Sequence, residues 1–138
     1  MKVSIVSQYS VFLPNEHGAL QKFAQILYDK GLDITGLMAE VRYEAAVVRF
    51  VVESIHKDSG DLPVSRIITQ AGYTSVKTDI LCVEEEGQAG AVLQVSKILG
   101  GGGINITAIY GSCDGNKRGR MYINADNLER AIQLLNVA

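Results

Sequence analysis

Two short turns carry the backbone groups best suited to chemistry in this chain: "PNEHGAL", Pro14–Leu20, and "EGQAGAV", Glu86–Val92. Each puts a glycine, Gly18 or Gly90, where a strand passes into a helix. With no Cβ in the way, a small ligand can come close to the free N–H groups at the helix start, where the dipole also favours negative charge. A carboxylate suits such a seat. The same spacing also serves a turn that only has to be tight, and spacing alone does not separate the two readings.

A third glycine-rich stretch, "LGGGGINIT" at Leu99–Thr107, has the look of a phosphate cradle. Its glycines, however, follow a helix and precede a strand, and no Gly-Lys-Ser/Thr comes after them. That end of a helix offers carbonyl oxygens and the negative end of the dipole, which repel an anion. The run is therefore a bend. Each glycine is about 1 kcal/mol worse than alanine in a helix, so the helix is expected to end early and fray.

The remaining reactive side chains do not converge. His17 and His56 have no Cys or carboxylate at ligand spacing, which argues against a metal or other cofactor, and His17 reads as a solvated turn residue. Cys82 and Cys113 form no CxxC pair and fit a reduced, cytoplasmic chain with both thiols packed or idle. Glu84–Glu86 read as a solvated strand end, and Tyr110 and Tyr122 as packing residues. No Ser/His/Asp or Cys/His set is arranged for nucleophilic attack, so the expectation is a protein that is not an enzyme. A net charge of -2 gives no general attraction to nucleic acid or to an anionic membrane. The N-terminus alternates rather than forming an apolar signal core, and no stretch is long enough to span a bilayer.

The elements that must position the turns come in two copies. Residues 15–36 align without gaps on 87–108, with seven identities in 22 positions, among them Gly18/Gly90, Leu27/Leu99, Gly31/Gly103 and Thr35/Thr107. Leu20, Phe23, Ala24 and Leu27 make one apolar helix face, repeated by Val92, Val95 and Leu99. Strands are expected before each helix, at Tyr9–Leu13 and Ile80–Glu84, and two more after it. A second helix follows in each copy, on Val64, Ile67, Ile68 and Ala71 and on Leu128, Ala131, Ile132 and Leu135. These are 64 residues apart rather than 72, so the second copy has lost a loop, with Ile55–Leu62 the segment without a counterpart.

Each unit is thus β-α-β-β-α and needs one more strand. Thr74–Thr78 can close the first sheet, but the second copy ends at Ala138 before its own closing strand. On the 72-residue offset, Lys2–Ser7 matches the missing segment. The N-terminal strand is therefore expected to close the sheet of the second unit.

The turn with Gly, an apolar residue two positions on, a helix, then G-[ILV]-[ND]-I resembles the signature of ACT domains. Both copies carry it, as Gly18, Leu20, Leu27, Gly31 and Ile34, and as Gly90, Val92, Leu99, Gly103, Asn105 and Ile106. The resemblance implies an α+β fold of two ferredoxin-like βαββαβ ACT domains in tandem, at 8–78 and 79–138, with 2–7 lent to the second. It implies a non-catalytic module that binds a small amino acid between ACT domains and signals to a metabolic enzyme. By the same resemblance Asn15, His17, Gly18, Ala19 and Leu20 form one wall of the site, with Gln88, Ala89, Gly90, Ala91 and Val92 as counterpart. Asp33 and Asn105, beside Ile34 and Ile106, face them from the start of the second strand of a neighbouring domain. Sheet edges favour a homodimer. Proline, usual in the family's turn, is absent from both copies. The competing reading is a protein–protein interaction module with degenerate ligand sites.

Overall fold

The computed structural model describes residues 1–56, 63–87, 89–113 and 118–137. The elements run β1 (Lys2–Pro14), α1 (Ala19–Asp29), β2 (Leu32–Arg42), β3 (Ala45–Ser54), α2 (Val64–Gln70), β4 (Ser75–Glu85), α3 (Ala91–Gly101), β5 (Ile106–Cys113), β6 (Gly119–Ala125) and α4 (Leu128–Val137). Strand order is β2-β3-β1-β4-β6-β5. The chain divides into two compact units, Ser7–Thr78 and Met1–Val6 with Asp79–Ala138, called the first and second below. β1 neighbours β4, and Val3 packs against the core of the second unit. The start of the N-terminal strand thus belongs to the second unit, as the 72-residue offset led one to expect.

The strands differ from expectation in one respect. Lys2–Ser7 and Tyr9–Leu13 are one continuous strand, and so are Thr74–Thr78 and Ile80–Glu84 apart from Thr74. The joints, Ser7–Gln8 and Thr78–Asp79, contain no glycine or proline to turn the chain, so the backbone stays extended. Both β1 and β4 therefore contribute residues to each unit.

Helices α1 and α3 occupy the same places in the repeat and have the same length, 11 residues each. The expected early end of α3 does not occur. Gly100 and Gly101 are helical, Gly102 is the C-cap, and the left-handed residue that follows is Gly103, whose φ of +78° matches the +80° of Gly31. Tertiary anchoring outweighs poor propensity here. Leu99 is fully buried, Ile104 nearly so, and the Ile104 N–H donates to the Leu99 carbonyl at 2.9 Å, which closes the last turn. A Cβ on Gly102 would run into the Leu134 side chain of α4, so one glycine of the run makes room for that helix.

The second helices share an i, i+4 buried pair but at a different depth. Val64 and Ile68 are buried in α2, whereas Ala131 and Leu135, not Leu128 and Ile132, are the buried pair of α4. After β6 only Asp126 and Asn127 intervene before α4. Asn127 caps the helix, its Oδ1 accepting from the Arg130 N–H at 3.1 Å, which is what allows so short a connection. The counterpart after β3 includes 57–62, outside the described residues.

Candidate functional site

The two turns have the same local geometry. Gly18 and Gly90 are the N-caps of α1 and α3, left-handed at φ +78° and +84°, a conformation glycine adopts without strain. Among the described residues no side chain caps either helix, and a Cβ at either glycine would meet nothing within 4 Å. The space above each turn is open. The Lys22 N–H reaches the Gly18 carbonyl and the Gln94 N–H the Gly90 carbonyl, both at 2.9 Å, so each helix is well formed behind its first N–H groups. In the first turn the Asn15 N–H donates to the Glu44 carbonyl at 3.0 Å, which ties it to the tip of the β2–β3 hairpin. Asn15, His17, Ala89 and Val92 are exposed, Ala19 and Ala91 half-buried, and Leu20 is 40% exposed; Gln88 lies outside the described residues. A groove of about 330 Å³ runs from Gly18 along Gln21, Lys22 and Gln25 of α1.

Asp33 with Ile34, and Asn105 with Ile106, stand at the other end of each helix, where β2 and β5 begin. An 11-residue helix separates them from the turn of their own unit by roughly 16 Å. Within a unit, then, the two halves of the expected site do not meet. Asp33 is exposed, while the backbone of Asn105 is held by Asp126: its N–H donates to Asp126 Oδ1 at 3.2 Å, and its carbonyl accepts from the Asp126 N–H at 3.1 Å.

One pair of residues beside this point had no role in the sequence reading. The register of β2 against β3 shifts between Ile34 and Gly36, and that of β5 against β6 between Ile106 and Ala108. The extra residue in each bulge is Thr35 or Thr107, identical across the repeat. Each hydroxyl donates across the sheet, Thr35 to the Val51 carbonyl at 3.4 Å and Thr107 to the Asn124 carbonyl at 3.1 Å. A bulge of this kind re-aims the strand's opening residues. The identity of the two threonines was the signal.

The acidic run is not a solvated strand end. Glu84 Oε1 accepts from Arg120 Nε at 3.1 Å and Nη2 at 2.6 Å, and Lys2 Nζ lies 3.7 Å from Oε2. Arg120 also donates through Nη1 to the Tyr122 hydroxyl at 3.4 Å, and Tyr122 stacks on Tyr110 with centroids 5.3 Å apart. Hydrogen bonding from Arg120 holds the Glu84 carboxyl below its ordinary range, against the opposing effect of burial. Glu85 is only 6% exposed, and of the three only Glu86 is open to solvent. These groups line a cleft of about 760 Å³ at the ends of β4, β5 and β6. Of the two cysteines, Cys82 is buried, and the Cys113 side chain lies outside the described set.

Two ferredoxin-like βαββαβ units in one chain, each with an open glycine turn at its first helix, define a tandem-domain architecture. The chain belongs to the ACT domain pair family, which it matches over residues 4–137. Among solved structures it is similar to protein BT0572 from Bacteroides thetaiotaomicron, at 19% identity and TM-score 0.82, covering 97% of this chain and 88% of that one. It is also similar to the ligand-free regulatory subunit of aspartate kinase from Thermus thermophilus, at 18% identity and TM-score 0.62, covering 99% and 96%. The corresponding subunit from Thermus flavus is 14% identical, with TM-score 0.56 and coverage of 99% and 95%. At these identities the likeness is one of fold. No curated protein matches the chain.

Proposed function

We propose that the chain is a non-catalytic regulatory module whose ACT domains, 8–78 and 79–138 with 2–7, bind a small amino acid between them and signal to a metabolic enzyme. The observation that carries this reading is the pair of uncapped helix starts at Gly18 and Gly90, open above and alike in backbone. Their N–H groups would hold the carboxylate, and Asp33 or Asn105 of another domain would accept from the ammonium. Because the two halves of the site stand at opposite ends of α1 or α3, binding has to join two domains. A ligand that bridges domains favours one arrangement over another, and a partner senses the difference. The likeness to regulatory subunits of aspartate kinase supports an enzyme as that partner. A cytoplasmic homodimer fits the same role.

Thermal shift against the twenty amino acids, each at millimolar concentration, tests the reading. Ligand at 100 times its Kd stabilises by about 2.7 kcal/mol. A selective rise in Tm should occur with one or a few amino acids, and Gly18→Val or Gly90→Val should remove it. Each variant is compared with its own ligand-free baseline, since valine at positive φ costs roughly 1–2 kcal/mol by itself. No rise with any amino acid would leave the protein-interaction module, for which the absent turn prolines speak.

A further inference from the structure

We propose that Thr35 and Thr107 are positioning residues for ligand binding. Their bulges set the face on which Asp33 and Asn105 stand, and their hydroxyls hold the bulges in that form. The inference rests on the ligand site proposed above and adds to it the groups that aim its second half.

A strand presents alternate residues to one face, so residues on the same face are an even number of positions apart. Ile34 and Leu37 break this rule. Ile34 pairs with Val52 and Leu37 with Phe50, and Phe50 and Val52 both pack in the first core. In the second unit Ile106 and Ile109 do the same, opposite Ala125 and Ile123. Each three-residue step contains one bulge residue, which changes the phase of the strand once. On the hairpin side of the bulge the pairing is anchored by Arg42 opposite Ala45 and by Cys113 opposite Gly119. Continued past position 35 without an extra residue, that phase would turn Asp33 towards the core and Leu32 and Ile34 out of it. With the extra residue Leu32 and Ile104 are buried, and Asp33 and Asn105, one position on, are exposed.

Any extra residue would change the phase, but threonine also fixes the result. In both units its hydroxyl donates to the carbonyl of the one residue that opposes the bulge. That residue is Val51, opposite Gly36, at 3.4 Å, and Asn124, opposite Ala108, at 3.1 Å. The branched side chain has few rotamers, so the hydroxyl stays where the bond needs it. The two bonds join equivalent atoms although the cores behind them are filled by rings in one unit and aliphatic chains in the other. The repeat varies the residue presented, Asp33 or Asn105, and keeps the residue that supports it. Without the bond the bulge loosens, the presented residue is aimed correctly only part of the time, and apparent affinity falls by that fraction.

Titration calorimetry of the wild-type chain with each of the twenty amino acids finds the tightest binder, which is then titrated into Thr35→Val/Thr107→Val. Valine keeps the branch and removes the hydroxyl. The valine pair should bind at least about fivefold more weakly, the equivalent of one hydrogen bond. Thr35→Ser/Thr107→Ser keeps both hydroxyls and should stay within about twofold of wild type. Thr69→Val removes a comparable hydroxyl–carbonyl bond, to Ser65 at 2.9 Å within α2, and should leave the affinity unchanged whatever it does to Tm. If the valine pair does not fold, the single variants are read in its place. Affinity that survives in the valine variants, or is lost equally in the serine pair, overturns the proposal and leaves the ligand site standing. A wild-type chain that binds no amino acid overturns both.

Discussion

Phe23 in the first unit and Val95 in the second stand at the same point of the repeat, and both are fully buried. Around them the two cores are built differently. Phe23 meets Phe50 edge-on with centroids 5.3 Å apart and Tyr73 at 5.0 Å, and Tyr9 stacks on Phe50 at 5.8 Å. The second core has Val95 among Leu81, Leu99, Ile104, Ile123 and Leu135, all aliphatic. Its rings, Tyr110 and Tyr122, lie on the opposite face of their strands from Ile109 and Ile123. What the repeat preserves is which positions face inward; the volume that fills them comes from rings in one unit and from branched chains in the other. Gly102 and Ala131 belong to the same difference, since small residues let α3 and α4 pack closely without aromatic filling.

The asymmetry of the N-terminal strand gives the largest expected effect. Deleting residues 2–6 removes an edge from the second sheet and Val3 from its core. The second unit should then lose roughly the stability of a small domain, about 5 kcal/mol or more. Amide hydrogen exchange should show protection lost across 79–137 and retained in α1, β2 and β3. Uniform loss in both units would mean that the continuous strands make them one cooperative body.

Next in size is the core comparison. Phe23→Ala should cost about 3–5 kcal/mol, and Val95→Ala about 2 kcal/mol because fewer buried atoms are removed. Urea denaturation of the two variants measures both. Equal losses would show that the aromatic packing contributes no more than the aliphatic.

How far the chain could be read in advance follows the same division. Periodicity revealed the helices because each presents its apolar face at regular spacing, and the gapless repeat revealed the borrowed strand. Propensity misjudged the end of α3, since Leu99 and Ile104 hold that turn from outside the glycines. The break expected near Ser7 rested on an alignment boundary, not on any residue able to turn the chain. Half of the candidate site, the glycine turns, was visible because glycine is nearly the sole residue for that backbone. Glu84 and Glu85 were hidden because an acidic run at a strand end is usually solvated, and only strand register shows where the side chains point. Yet the offset, carried back to Phe12/Glu84 and Leu13/Glu85, already held the clue.

The smallest expected effect concerns the first of those two pairs. In the first unit Phe12 pairs with Val47 on the outer face, and Phe12 is 62% exposed. In the second the same register holds Glu84 and Arg120. Their side chains are 31% and 40% exposed, so solvent screens the ion pair and its contribution should stay below about 1 kcal/mol. The Glu84 carboxyl is depressed below its ordinary value of 4.5 in the folded chain. A depressed carboxylate stabilises the fold above the unfolded pKa, and that stability is lost as pH falls through the folded value. Glu84→Gln should therefore lower the stability measured in urea by up to about 1 kcal/mol at pH 7, and by progressively less as the pH drops below about 4.5. Substituting Phe12→Glu and Val47→Arg together should give the first unit a similar acid-sensitive contribution. If Glu84→Gln were equally costly at pH 7 and pH 3, the side chain would be acting by packing and not by charge, and the two outer faces would differ less than their residues suggest.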